Sequence, residues 1–453
     1  MLGVNSDGYY ILRSKHQDFS RDVYIERYKA SLSLDVTKEI PGSSRSRFEN
    51  ILLYEDGLLI FRSVENSTTN TIELQANKAD ASGVVNANTW VKIDECPKRS
   101  NSDKGDYTIV SSSNKDLLVC SHSETNLKNQ AVLSITIINR QLIKQAGKKL
   151  ELEFPYENLQ FNELQIDNNG NVFFSAIYSD TEKKKQSSDR NRHLMYAWFK
   201  HSDELKFYPL DEKGRFTNTF SFGVNYVKKC LTVCGFYSNI SEANVGGTFL
   251  YNIDLDSGFV FYSRFEGLSQ ELVARLVGEK EASRSGELSN IEMRKLILRS
   301  DGGIIMAAEN TYITQQTYTY YVSGMPQYSY RNIYNYDDIL VVSLDPDGRE
   351  EWHNVIRKKQ STMNDQGYFS SFFAAAYEDK IHFFYNDNTR NNGDVLDVVI
   401  NNKGELEKNV LLSAKTTFAV IVPSEAKLIG YNTVLMTALK EKNYCFLKIT
   451  FQP

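Results

Sequence analysis

The sequence predicts an all-β chain, a β-propeller of about eight, alternatively seven, four-stranded blades in one domain over residues 1–453. Three observations lead there. Short apolar strands recur after turn-type or polar stretches at intervals of roughly 50 to 75 residues. Most are followed by a second strand and a further turn. Aromatic residues reach 12%, with 27 Tyr and 25 Phe, and such side chains suit a pleated, half-buried surface. With 41% hydrophobic and 24% charged residues, the chain can fill a core and is not of the disordered class.

The repeating strands run in order along the chain. Tyr9 to Arg13 follows Asp7-Gly8, Leu58 to Arg62 follows Asp56-Gly57, Leu117 to Cys120 follows Asn114-Lys115-Asp116, and Val172 to Ala176 follows Asn169-Gly170. Leu231 to Phe236 comes next, then Ile304 to Ala308 after Asp301-Gly302-Gly303, Ile381 to Tyr385 after Asp379-Lys380, and Val434 to Leu439 after Asn432. Partner strands are expected at Asp22 to Tyr28, Thr71 to Ala76, Val132 to Asn139, Gly247 to Ile253 and Ile339 to Leu344. Turns at Asp254 to Gly258, Asp345 to Gly348 and Asn402 to Gly404 then lead into short outer strands, with glycine where a hairpin needs positive φ. A blade buries its faces on its neighbours, so the circle must close. The C-terminal unit, ending at Tyr444 to Phe451, shows no obvious outer strand, and closure by strands shared between the two ends is expected.

Two insertions interrupt the repeat. Leu268, Leu272, Val273, Leu276 and Val277 stand at helical spacing behind Ser269, a residue type that caps helices, and predict a short helix near 268–278, packed over a blade edge. A polar stretch, Glu279 to Gly286, follows it. Between Thr311 and Tyr336 the chain carries Tyr312, Tyr318, Tyr320, Tyr321, Tyr328, Tyr330, Tyr334 and Tyr336 around Gly324 and Pro326. Alternation predicts a long hairpin near 311–336 with Met325-Pro326 near its tip. Tyrosine brings large contact area and a polar end, so Tyr318, Tyr320, Tyr321, Met325, Tyr328 and Tyr330 are the candidate partner-binding residues, although cross-strand tyrosines also simply hold a hairpin together.

Charge and motifs narrow the function. The net charge is -5 and no block of five or six like charges occurs, so no nucleic-acid partner is expected. The basic cluster Lys183 to Lys185 with Arg190 and Arg192 reads as a solvated loop. No apolar run approaches the roughly 18 residues of a membrane helix, so the chain is not expected to span one. Cys96, Cys120, Cys230, Cys234 and Cys445 form no disulfide framework or zinc knuckle, and Cys230 with Cys234 reads as two buried thiols on one strand face. The histidines, His16, His122, His193, His201, His353 and His382, lack metal-ligand spacing. No nucleophile elbow, phosphate loop or dinucleotide fingerprint occurs, so no catalytic residue, metal or cofactor is expected. Asp337-Asp338 and Glu350-Glu351 point to opposite strand faces and read as ladder or turn carboxylates. Asp345 to Gly348 and Asp167 to Asn171 read as β-turns rather than calcium loops.

In Leu296 to Gly303, Asp337 to Trp352 and Asp365 to Ser371, the chain resembles a group of exported, largely uncharacterised β-propeller-like proteins of Bacteroidetes bacteria. The resemblance implies export by a signal peptide and residence in the periplasm or at the cell surface, and it carries no catalytic residues with it. Met1 to Tyr10 shows no signal pattern, so export requires a removed segment; with Met1 as the native start the chain is cytoplasmic. The expected function is a non-catalytic protein-binding or scaffolding propeller, an accessory of a cell-envelope or outer-membrane assembly. The alternative is a carbohydrate-binding or carbohydrate-cleaving propeller with its site at the central channel.

Overall fold

The computed structural model describes residues 2–16, 21–43, 45–86, 88–100, 103–179, 191–202, 204–211, 214–389, 393–417, 419–441 and 443–452. These residues form eight consecutive larger antiparallel sheets, at 3–39, 46–97, 108–155, 159–209, 216–267, 291–363, 373–412 and 419–450, and a small two-stranded one of Asn244–Val245 with Leu288–Ser289. Each larger sheet is a meander in which sequence neighbours pair, the arrangement of propeller blades, and the fold is all-β of the β-propeller class. Of the eight larger sheets, seven have at least four strands and the last has three. Each of the eight repeating strands predicted from sequence is the second strand of its sheet, from Gly8–Ser14 in the first to Thr433–Lys440 in the eighth.

The chain divides into two compact units, Met1–Lys185 with His193–Pro209 and Gln186–Arg192 with Leu210–Pro453. In the first unit, strand alternation sends successive residues of the third sheet to opposite neighbours. Leu118 and Cys120 pack with Phe61 and Leu74 of the second sheet, while Val119, Leu133 and Ile135 pack with Phe174, Tyr196 and Trp198 of the fourth. In the second unit, Met306, Leu340 and Val342 face Phe236 and Leu250, while Ala307, Ile339 and Val341 face Phe383 and Val398. Face-to-face burial of this kind is the main favourable contribution to folding, about 1.5–3 kcal/mol for each large apolar side chain.

Two recurrent local devices shape the sheets. At the turn between third and fourth strands, Asn139, Asp254, Asp345 and Asn401 each accept two backbone N–H groups from the turn that follows. Asp345 to Gly348 is therefore a β-turn, closed by Gly348 N–H on the Asp345 carbonyl, and Asp167 to Gly170 closes in the same way. The second device is a bulge in the first strand. The register skips between Phe48 and Asn50, Phe161 and Leu164, Thr217 and Thr219, Met293 and Lys295, and Val422 and Lys427. A bulge re-aims the extra residue, and here it frees Glu49, Glu163, Asn218, Arg294 and Glu425 from the ladder.

The predicted helix is present as α1 (Gln270–Val277), with the Ser269 side chain capping Leu272 N–H and with Leu272 and Val273 buried against Val245, Leu288 and Met306. The polar stretch after it is also helical, α2 (Glu279–Ser285), with Glu279 and Glu281 in its first turn and Arg284 in its last. No helix among the described residues is long and apolar enough to cross a membrane. No disulfide is formed among the described residues, and Cys230 and Cys234 are buried in the second strand of the fifth sheet.

Candidate functional site

The first unit holds a cavity of about 390 Å³ between its third and fourth sheets, a size suited to a small molecule. Three pieces of chain build it. The second strand of the third sheet, Leu117–Thr125, turns Ser121 and Ser123 to the same face as Val119, toward the fourth sheet. His122 lies on the opposite face, where its ring meets Tyr107 edge-on at 5.3 Å and its Nδ1 pairs with Asp94 at 2.9 Å. His122 is nonetheless among the residues that border the cavity. The third sheet ends at Pro155 and passes into a single 3₁₀ turn, Tyr156–Asn158, which sets Tyr156 over the opening. The bulge in the first strand of the fourth sheet then presents Asn162 and Glu163, while Phe161 and Phe174 form an apolar floor with ring centroids 6.1 Å apart.

Tyr156 is held in place by charge. The Arg99 guanidinium lies 5.2 Å from the ring centroid and donates to the phenolic oxygen, and it is anchored in turn by Asp103 at 3.1 Å. Burial opposes the charge on Arg99, but its hydrogen bonds to Tyr156 and Asp103 outweigh that cost and raise its pKa. The Ser123 hydroxyl lies 3.3 Å from the Tyr156 hydroxyl, so Ser123, Tyr156 and Arg99 form one chain. Asp106, Glu157 and Glu163 are the acidic residues of the lining, which includes no lysine or arginine. Glu163 is fixed by Gln165 at 2.6 Å, and Asp106 by Arg47 at 3.0 Å. A site with carboxylates, aromatic faces and two hydroxyls suits a cationic ligand with an apolar body.

Next to Asp106 lies a second carboxyl, Glu49, freed by its bulge and accepting from Ser63 at 2.5 Å. Burial lifts it to about 7, against the Ser63 hydrogen bond and the nearby Arg47, with Asp106 adding to the rise.

The sequence candidates lie elsewhere, on the hairpin Ile304–Val322 and Met325–Leu344 of the sixth sheet. Its turn is Ser323-Gly324, both at positive φ (52° and 82°), with Met325-Pro326 immediately after. Pairing of Tyr320 with Gln327 and Tyr318 with Ser329 puts Tyr318, Tyr320 and Met325 on one face, and Tyr321, Tyr328 and Tyr330 on the other. All six are exposed, Tyr321 at 72% and Met325 at 68%. The hairpin and the cavity belong to different units, so the residues singled out by composition are not the ones that line the cavity.

Other sequence candidates have structural partners. Glu350 pairs with His353 at 2.7 Å, Glu351 accepts from Ser343 at 2.9 Å, Asp337 from Tyr312 at 3.1 Å and Asp338 from Lys358 N–H at 3.0 Å. Of the basic cluster, Lys183 to Lys185 and Arg190 lie outside the described residues. Among the described residues, no group of three or more His, Cys, Asp or Glu side chains is placed to hold a metal.

No family model matches the chain, and no curated protein matches it. Among solved structures it is similar to a mutant puromycin hydrolase at 11% identity and a TM-score of 0.40, over 88% of this chain and 49% of that one. It is similar to acylaminoacyl peptidase of Pyrococcus horikoshii at 13% and 0.34, over 76% of this chain and 44% of that one. A mutant apocarotenoid oxygenase of Synechocystis matches at 10% and 0.35, over 99% and 91%. The chain thus spans about half the length of the first two. These proteins are enzymes, and the non-catalytic envelope scaffold expected from sequence is corrected on that finding, together with its carbohydrate alternative. At these TM-scores no activity passes from them to this chain.

Proposed function

We propose that the first unit takes a small cationic molecule with an aromatic or aliphatic body into the cavity between the third and fourth sheets, and that the Ser123 hydroxyl is the reactive group presented to it. The reading rests on one observation: aromatic faces, three carboxylates and a tyrosine-linked serine share one cavity whose lining includes no lysine or arginine. Glu163 and Glu157 neutralise the ligand's ammonium, and Phe161, Phe174 and Leu133 cover its apolar body. Attack of the Ser123 hydroxyl on an ester or amide carbonyl is the corresponding chemistry: Ser123 gives its proton to the Tyr156 hydroxyl as Tyr156 passes its own to the departing alcohol or amine, and water then releases the acyl group from Ser123.

Phenethylamine, 2-phenylethanol and phenylacetate test it, since they share a body and differ in charge. The amine should bind about tenfold tighter than the alcohol, with phenylacetate weakest, and Glu163→Gln should erase that preference. A phenylalanine aryl ester with a free amino group should be hydrolysed by the wild type and at least about 100-fold more slowly by Ser123→Ala with binding retained. Equal affinity for the three probes would refute the ligand class, and unchanged hydrolysis in Ser123→Ala would refute the role of the serine.

A further inference from the structure

The sixth sheet's hairpin continues as a two-stranded ribbon beyond the sheet, twelve residue pairs from Thr311 opposite Tyr336 to Val322 opposite Met325, or about 40 Å of strand. Isolated ribbons of this kind are marginal in water. Its two edges differ. Thr311 N–H reaches outward to the Asn290 carbonyl, and Asn332 bonds outward to Asn364 through both its N–H and its C=O. These bonds fix the phase of the ladder: the outward groups of the first strand belong to Ile313, Gln315, Thr317, Thr319 and Tyr321, and those of the second to Pro326, Tyr328, Tyr330 and Asn332. The second edge is guarded, because Pro326 has no N–H to offer, Arg331 adds a charge, and Gln360–Met363 already pairs with Ile333 to Tyr336. From Tyr312 to Val322 the first edge has no proline and no charged residue. A long, neutral, β-branched and aromatic edge of this kind is what proteins normally protect.

We propose that two copies of this chain pair through this edge, first strand to first strand, antiparallel about a two-fold axis at Thr317. The strand is complementary to itself there. With Thr317 opposite Thr317 of the second copy, Gln315 meets Thr319 and Ile313 meets Tyr321, so all five outward residues find a partner in one register. Threonine pairs and aromatic–β-branched pairs are favourable cross-strand neighbours. Charge selects a second copy over an unrelated partner. The chain carries -5 overall, yet between Thr311 and Tyr336 its only charged residue is Arg331, so two acidic chains meet where neither presents a carboxylate.

Sedimentation of the full chain across a concentration series reads the mass directly. The expected result is two chains for the wild type, with the dissociation constant raised at least tenfold by Thr317→Pro, which removes an outward N–H and leaves the ribbon's own ladder intact. Thr317→Lys, which opposes two like charges at the axis, should do the same. Gln327→Lys on the guarded strand should leave the mass unchanged, and Thr317→Cys should cross-link two chains under mild oxidation. A single-chain mass up to about 100 μM would overturn the proposal. So would a dimer indifferent to both Thr317→Pro and Thr317→Lys, with no cross-link in Thr317→Cys.

Discussion

A carboxyl group that titrates near neutrality inside a sheet makes folding depend on pH. Glu49 has that property because its bulge turns it inward, where burial disfavours its charge. Its folded pKa, about 7, lies above the ordinary glutamate value, so the folded chain holds a proton that the unfolded chain releases. Stability from this group is complete below about pH 4.5 and is lost as pH rises through 7. Glu49→Gln keeps the Ser63 contact without the charge, so its melting temperature should exceed that of the wild type at pH 8 and match it at pH 5. An equal gap at both pH values would show that Glu49 does not titrate in this range. None of this was legible in the sequence. Glu49 sits in Arg-Phe-Glu-Asn, and only the skipped register between Phe48 and Asn50 sends it inward.

At the scale of elements, sequence was informative wherever a pattern is local. Second strands follow a turn or polar stretch, often Asp-Gly or Asn-Gly because the preceding hairpin needs positive φ, and all eight are present, Leu231 to Phe236 having been read from its apolar run with no such turn before it. The helix α1 carried its cap and its apolar spacing openly, whereas α2 was missed because it is only seven residues long and polar. Its signal lay in its ends, acidic residues first, Arg284 last, and glycine on either side. The cavity was hidden for a different reason. Arg99, Ser123 and Tyr156 are far apart in sequence and are brought together only by the pairing of strands within the third sheet and the loop that leads into it, and no motif spans such separations.

One buried network fastens the strand Gln360–Met363 to the base of the ribbon. Lys358 Nζ lies 2.6 Å from Glu309 Oε1, donates to the Tyr336 carbonyl at 2.8 Å and reaches Gln360, while Arg294 and Ser371 approach the other Glu309 oxygen. Burial lowers the Lys358 pKa in spite of Glu309. Removing one partner strands the other, so Lys358→Met should cost roughly 3–5 kcal/mol in chemical denaturation. Pairing it with Glu309→Leu should recover part of the loss. A single substitution costing under about 1 kcal/mol would mean that water already reaches the pair.

For the whole molecule, stability follows from each sheet covering its neighbour within a unit. Ala375, Tyr377, Phe384 and Val395 of the seventh sheet pack on Ile421, Val434 and Met436 of the eighth. Deleting 419–453 would uncover that face, at about 1.5–3 kcal/mol for each large side chain, a loss comparable with the whole 5–15 kcal/mol of an ordinary domain. The shortened chain should therefore bind a hydrophobic dye and lose its cooperative melting transition. An unchanged transition would show that the seventh sheet stands without this cover.

Pro326 has a consequence of another kind, because it decides how far association can go. A strand that joins an edge normally offers its own far side to the next arrival, which is how filaments grow. Here the far side of each ribbon is the strand bearing Pro326 and Arg331, with Gln360–Met363 along its base. Each newcomer arrives with its outer side already sealed, so the contact is isologous and stops at the pair. A proline, a charge and a short covering strand separate a finite assembly from an open-ended fibre.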